Sequence, residues 1–123
     1  TYSIATWNSN KRPARYFDKA LQQLSLELGK HTIIMIQEAQ NWNTRHMQRN
    51  QYHTYYTNTE TECGILVPNS IEPRVTKHAY GPDWFSVHID GYNFISAHAN
   101  DIHSPADGNR YDTMRSEIDI HNA

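Results

Sequence analysis

Between Tyr2 and Ile36 the hydrophobic period of the chain changes twice, and this leaves few folds open. Tyr2-Ser-Ile-Ala-Thr-Trp7 is β-branched and aromatic, as strands are, and Asn8-Ser-Asn-Lys-Arg-Pro13 breaks it. From Ala14 the period becomes helical: Tyr16, Phe17, Ala20, Leu21, Leu24 and Leu28 share a face, with Arg15, Asp18, Lys19, Gln22 and Gln23 elsewhere. Pro13 suits a first turn, and Gly29 suits the position just past the last one. Thr32-Ile-Ile-Met-Ile36 is a continuous apolar run, the pattern of a strand covered on both faces. Strand, helix and strand in this order predict a right-handed βαβ unit with parallel strands. The strand ends, Asn8 and Gln37-Glu38, then open on the same edge of the sheet.

Beyond this unit the pattern reads as antiparallel. A short helix is expected over Asn43 to Arg49. Strands are expected over Tyr52 to Thr57 and Cys63 to Val67, around the polar Asn58-Thr-Glu-Thr-Glu62 turn, and more weakly over Arg74 to Tyr80. Trp84 to Ile89 and Tyr92 to His98 flank Asp90-Gly91, a strong signal for a two-residue hairpin. Asn100 to Asn109 reads as a polar loop. Tyr111, Met114 and Ile118 place a helix over Arg110 to Ile120.

The 123 residues suit one domain with one core. The formal net charge of −2 gives no overall basic excess of the kind that tight nonspecific nucleic-acid binders use. A local basic cluster, Lys11, Arg12, Arg15 and Lys19, follows Asn8; it reads either as a solvated helix start or as phosphate contacts. Of the four, Lys11 and Arg12, in the loop, are the better candidates for binding substrate. One cysteine, Cys63, excludes an internal disulfide, and its strand setting reads as core. No secretory apolar segment and no run of membrane-spanning length occurs in the sequence, and no compartment is implied. Starting at Thr1, the chain is expected to be processed or to be part of something longer.

Three residues could carry chemistry. Asn8 alone reads as a turn former. Glu38 alone reads as a solvated strand end. The Glu38 carboxylate is an oxygen ligand of the kind that a hard divalent cation accepts along with waters and a substrate phosphate, and the shared sheet edge makes the two residues more specific together than apart. Alternation in Tyr92-Asn-Phe-Ile-Ser-Ala-His98 puts Phe94, Ser96 and His98 on one face, so His98 falls at a strand end just before the polar loop. Beyond it, Asp101, His103, Asp107 and Asp112 read as a solvated loop. Eight histidines raise a zinc reading, but no HExxH and no paired Cys/His spacing supports it. Trp42 and Tyr56 read as packing residues more readily than as platforms for a base.

Ile4-Ala-Thr-Trp-Asn8, Ile34-Met-Ile-Gln-Glu-Ala39, Gly64-Ile-Leu-Val67 and Phe94-Ile-Ser-Ala-His98, with the helix carrying Arg115, resemble the endonuclease/exonuclease/phosphatase superfamily in order and spacing. The nuclease-like branches, DNase I, the cytolethal distending toxin and the retrotransposon endonucleases, are the most similar. The resemblance implies an α+β sandwich of DNase I-like, four-layer type. Residues 1–123 would be an incomplete N-terminal portion of one domain, with a mixed sheet and flanking helices. It implies Mg2+-dependent phosphodiester hydrolysis, with Mn2+ as a substitute and DNA or RNA as substrate. Phosphoinositide or other phosphomonoester hydrolysis, or a binding remnant without activity, are the alternatives. By the same resemblance Glu38 ligates the metal, Asn8 lines the metal and phosphate pocket, and His98 assists at the phosphate or leaving group. The chain departs from the family where the water-orienting Asp-x-Asn strand and the late Asp-His pair would follow. A C-terminal half or self-association is expected to complete the sandwich, and the chain alone is expected to have little activity.

Overall fold

The computed structural model describes residues 3–10, 17–39, 47–49, 52–98 and 114–120. The βαβ unit is present. Strand β1 (Ser3–Asn8), helix α1 (Phe17–Leu28) and strand β2 (Thr32–Gln37) follow in order, and β1 and β2 pair in parallel with Asn8 opposite Gln37. Gly29 ends the helix at φ +90°. The Thr32 hydroxyl then donates to the Leu28 carbonyl at 2.5 Å, occupying one of the acceptors that a helix C-terminus leaves over. The expected helix onset at Ala14 and Pro13 lies outside the described residues.

Strands β3 (Met47–Arg49), β4 (His53–Thr57) and β5 (Gly64–Pro68) complete a five-stranded sheet of order β1-β2-β5-β4-β3. Here the helix expected over Asn43 to Arg49 is corrected at its last three residues, the earlier ones lying outside the described residues: Met47, Gln48 and Arg49 pair with Tyr56, Tyr55 and Thr54. A three-residue segment gains more from a ladder on an existing strand than from helical preference, and its shortness suits a sheet edge. A second, antiparallel sheet holds β6 (Val75–Gly81), β7 (Trp84–Ile89) and β8 (Tyr92–Ala97). Glu72–Arg74 forms a 3-10 turn before β6, with Pro73 in its first positions, so Arg74 leaves the strand expected to begin with it. Its guanidinium instead pairs with Asp90 in the hairpin. Asp90 and Gly91 both have positive φ, as a two-residue turn of the mirror type requires. Helix α2, residues 114–120, brings Glu117 to the Trp84 indole, whose Nε1 donates to Oε2 at 3.0 Å. The chain is thus α+β, with strands in the majority.

Both faces of β2 are covered, as its unbroken apolar run predicts. Ile33 joins Tyr56, Ile65 and Val67 against Phe85, Val87, Ile89 and Phe94 of the second sheet. Ile34 and Ile36 join Tyr55 and Leu66 on the other face, where Leu24 of α1 packs with Ala5 and Trp7. Tyr56 is a core residue whose hydroxyl donates to Glu72 Oε1 at 2.8 Å, not a stacking platform. Cys63 is fully buried, and burial pushes its thiol up to about 12, so it is no nucleophile. Among the described residues no helix is long and apolar enough to cross a membrane.

His53 is buried in the same core, and its Nε2–H donates to the Thr32 carbonyl at 2.7 Å. Burial disfavours the charged ring and lowers its pKa below 6.5. Below 6.5 the unfolded chain therefore takes up a proton that the folded chain refuses. Stability is full above that pH and falls as the pH drops toward the folded value, by at most about 1.4 kcal/mol per pH unit for one site. Urea midpoints are expected to fall between about pH 7 and about pH 5, and His53→Gln to flatten that slope by up to one proton's share. An unchanged slope in the variant would rule His53 out as the source.

Candidate functional site

The parallel pairing of β1 with β2 brings Asn8 and Glu38 to one edge. Past Asn8 the chain folds back on itself. Asn8 Oδ1 accepts the Asn10 N–H at 2.8 Å, and Asn10 takes φ +57°. The turn reading and the edge reading of Asn8 therefore both hold. Among the described residues that amide oxygen keeps one lone pair for another partner.

Past β2 the chain does not continue as a strand. Glu38 has φ +56°, and the next residue, Ala39, donates its N–H to the Glu62 carbonyl at 2.7 Å. That contact docks the strand end onto the 58–62 turn. Glu62 N–H in turn donates to the Pro82 carbonyl at 3.1 Å, which brings in the turn between β6 and β7. The Asp83 carbonyl there accepts the His98 N–H at 2.9 Å and the Cys63 thiol at 3.3 Å. His98, just past β8, is thereby fixed beside Glu38. Its Nε2 lies 3.5 Å from Glu38 Oε1, within ion-pair reach when the ring is protonated, and the two side chains are 32% and 16% exposed.

A hydrogen-bonded path crosses from one sheet to the other through residues that precede this pair in their strands. Thr6 Oγ1 donates to Gln37 Oε1 at 3.1 Å, Gln37 Nε2 to Ser96 Oγ at 3.0 Å, and Ser96 Oγ to the Ile36 carbonyl at 2.8 Å. Each member neighbours a candidate residue in sequence: Gln37 precedes Glu38, and Ser96 is two before His98. Strand alternation gave Ser96 the His98 face, so that half of the path was accessible from the sequence. Ser9 and the Asp83 carbonyl were missed, because a hydroxyl or a main-chain oxygen bonded across strands leaves no pattern in composition or spacing.

Of the expected site residues, then, Glu38 and His98 meet and Asn8 shares the edge. Lys11 and Arg12 lie outside the described residues, as do Trp42, Asp101, His103, Asp107 and Asp112. Among the described residues no group of three or more His, Cys, Asp or Glu could hold a metal. One carboxylate and one imidazole, with the Asn8 amide on the same edge, fall short of the four ligands of a structural zinc site. The set does fit a hard cation that keeps several waters and shares a phosphate, as Mg2+ does. Searches against protein-family models, curated proteins and solved structures find no match for this chain.

Proposed function

We propose that this chain carries the metal-binding side of a Mg2+-dependent phosphodiesterase of DNase I-like layering, acting on DNA or RNA. The observation that supports it most is the meeting of Glu38 and His98, one from each sheet, at 3.5 Å on the edge where Asn8 ends β1. Carboxylate and imidazole meet at the sheet edge that also carries the Asn8 amide, where a phosphate could be received. Mg2+ held there would neutralise phosphate charge as water attacks in line. Glu38 would hold the cation through its carboxylate. Asn8 would help position cation and phosphate through its amide. His98 would donate a hydrogen bond to a phosphate or leaving oxygen, and Lys11 and Arg12 are the candidates for flanking phosphates. Cleavage forms a new P–O bond from water and releases one ester oxygen as an alcohol.

The residues that would orient the water have no counterpart in the sequence, so the 123-residue chain by itself is expected to turn over little substrate. The edge strand supports a partner that completes the layers, whether a further segment or a second copy. β1 is paired on one side only among the described residues, and Ile4 is 55% exposed on it. An edge of this kind accepts another strand.

The test is a substrate panel on the intact protein with Mg2+ and with Mn2+. Nicking of plasmid DNA or cleavage of RNA is expected. Phosphate release from phosphoinositides alone would move the reading to a phosphatase. Absence of turnover on all three would leave a binding module and end the hydrolase reading.

A further inference from the structure

Ser9 is fully buried between two exposed asparagines. Its N–H donates to the Gln37 carbonyl at 2.9 Å, and its hydroxyl lies 3.0 Å from that oxygen and 2.6 Å from the Glu38 carbonyl oxygen. A serine hydroxyl has one proton, so the shorter contact to Glu38 is its principal bond.

That bond falls on the peptide of a residue in an unusual conformation. Glu38 has φ +56°, a region that residues with a side chain rarely enter, and glutamate has no local side-chain bond to favour it. The consequence is directional. Along β2 alternate residues face opposite sides. Ile34 and Ile36 face α1, while Ile33 faces the second sheet and Gln37 reaches Ser96 there. Continued as a strand, Glu38 would point with Ile36 toward the α1 side, away from β8. The left-handed turn cancels that alternation and brings the carboxylate to His98. Two bonds hold the peptide that follows Glu38, Ser9 Oγ on the Glu38 carbonyl and the Glu62 carbonyl on the Ala39 N–H, while the Ser9 N–H on the Gln37 carbonyl holds the peptide before it.

We infer that Ser9 is a positioning residue whose hydroxyl holds Glu38 in the left-handed conformation that aims its carboxylate at His98. Its importance for metal binding rests on the proposed role of Glu38 as ligand. The experiment compares wild type, Ser9→Ala and Ser9→Thr by two readouts. One is the strong intraresidue amide-to-Hα NOE that positive φ gives Glu38, recorded without metal. The other is Mn2+ affinity, from the free Mn2+ signal in electron paramagnetic resonance.

Ser9→Ala removes one atom and keeps the fold. It is expected to lose the Glu38 signature and to bind Mn2+ roughly 10-fold more weakly, the scale typical of residues that orient a ligand. Ser9→Thr keeps the hydroxyl and is expected to restore both. If Ser9→Ala keeps the signature and binds Mn2+ as wild type does, the inference is overturned. If no chain binds Mn2+ but the alanine variant alone loses the signature, the inference stands and the metal role of Glu38 falls.

Discussion

Glu38→Gln in the intact protein is expected to lower Mg2+-dependent phosphodiester cleavage about a thousandfold, with its unfolding midpoint nearly unchanged. The substitution keeps the shape and removes the charge. On the proposed reading Glu38 is the carboxylate that would hold the cation, and the amide of Asn8 could not supply the missing charge. Losing three decades of rate corresponds to about 4 kcal/mol of transition-state stabilisation, within what a metal ion contributes at a phosphoryl centre. Stability should hardly move because Glu38 is held by its backbone. Its carbonyl bonds Ser9, and the following N–H bonds Glu62, while among the described residues the carboxylate itself has the 3.5 Å approach of His98. The measurement is initial nicking rate on supercoiled DNA against Mg2+ concentration, paired with urea melts. Full activity in Glu38→Gln would end the metal reading. A lost activity that returns at high Mg2+ would instead assign Glu38 to affinity alone.

The route to this site was legible in the sequence to an unequal degree. The switch from strand to helix to strand is written in spacing, and a crossover that makes the strands parallel leaves their ends on one edge, so Asn8 and Glu38 could be joined without coordinates. Alternation along β8 carried Ser96 and His98 to a common face. Two things could not be read. The first is pairing that overrides local preference, as where Met47–Arg49 joins β4 as a strand. The second is a backbone turn made by tertiary bonds. Nothing in Gln37-Glu38-Ala39 signals positive φ, since it contains neither Gly nor Asn, yet that turn decides where the carboxylate points.

Gly64→Ala is expected to destabilise the fold by about 3 kcal/mol, the upper part of the usual range for overpacking. For a chain of this length that is a fall of roughly 10 °C in Tm. A β-carbon built at Gly64 would stand 2.6 Å from two ring carbons of Tyr55 and closer still to its hydroxyl. Tyr55 is fully buried and packed with Ile34, Ile36 and Leu66, so its ring cannot swing aside without moving that face of the sheet. The strand cannot yield either, because Gly64 pairs with Ile36 on one side and with Thr57 on the other. The cause can be isolated by removing the ring. Tyr55→Leu alone opens a cavity, but with Gly64→Ala the new methyl enters part of that space. The double variant should then be more stable than the sum of the single effects by about 1 kcal/mol or more. Additive effects would refute the steric account. The strain should also reach the candidate site, since Cys63 and Glu62 lie immediately before Gly64 and the Glu62 carbonyl holds Ala39. Gly64→Ala should therefore weaken Mn2+ binding even below its melting range, whereas Glu38→Gln weakens it with the fold intact. Comparing the two separates loss of the ligand from loss of the frame that aims it.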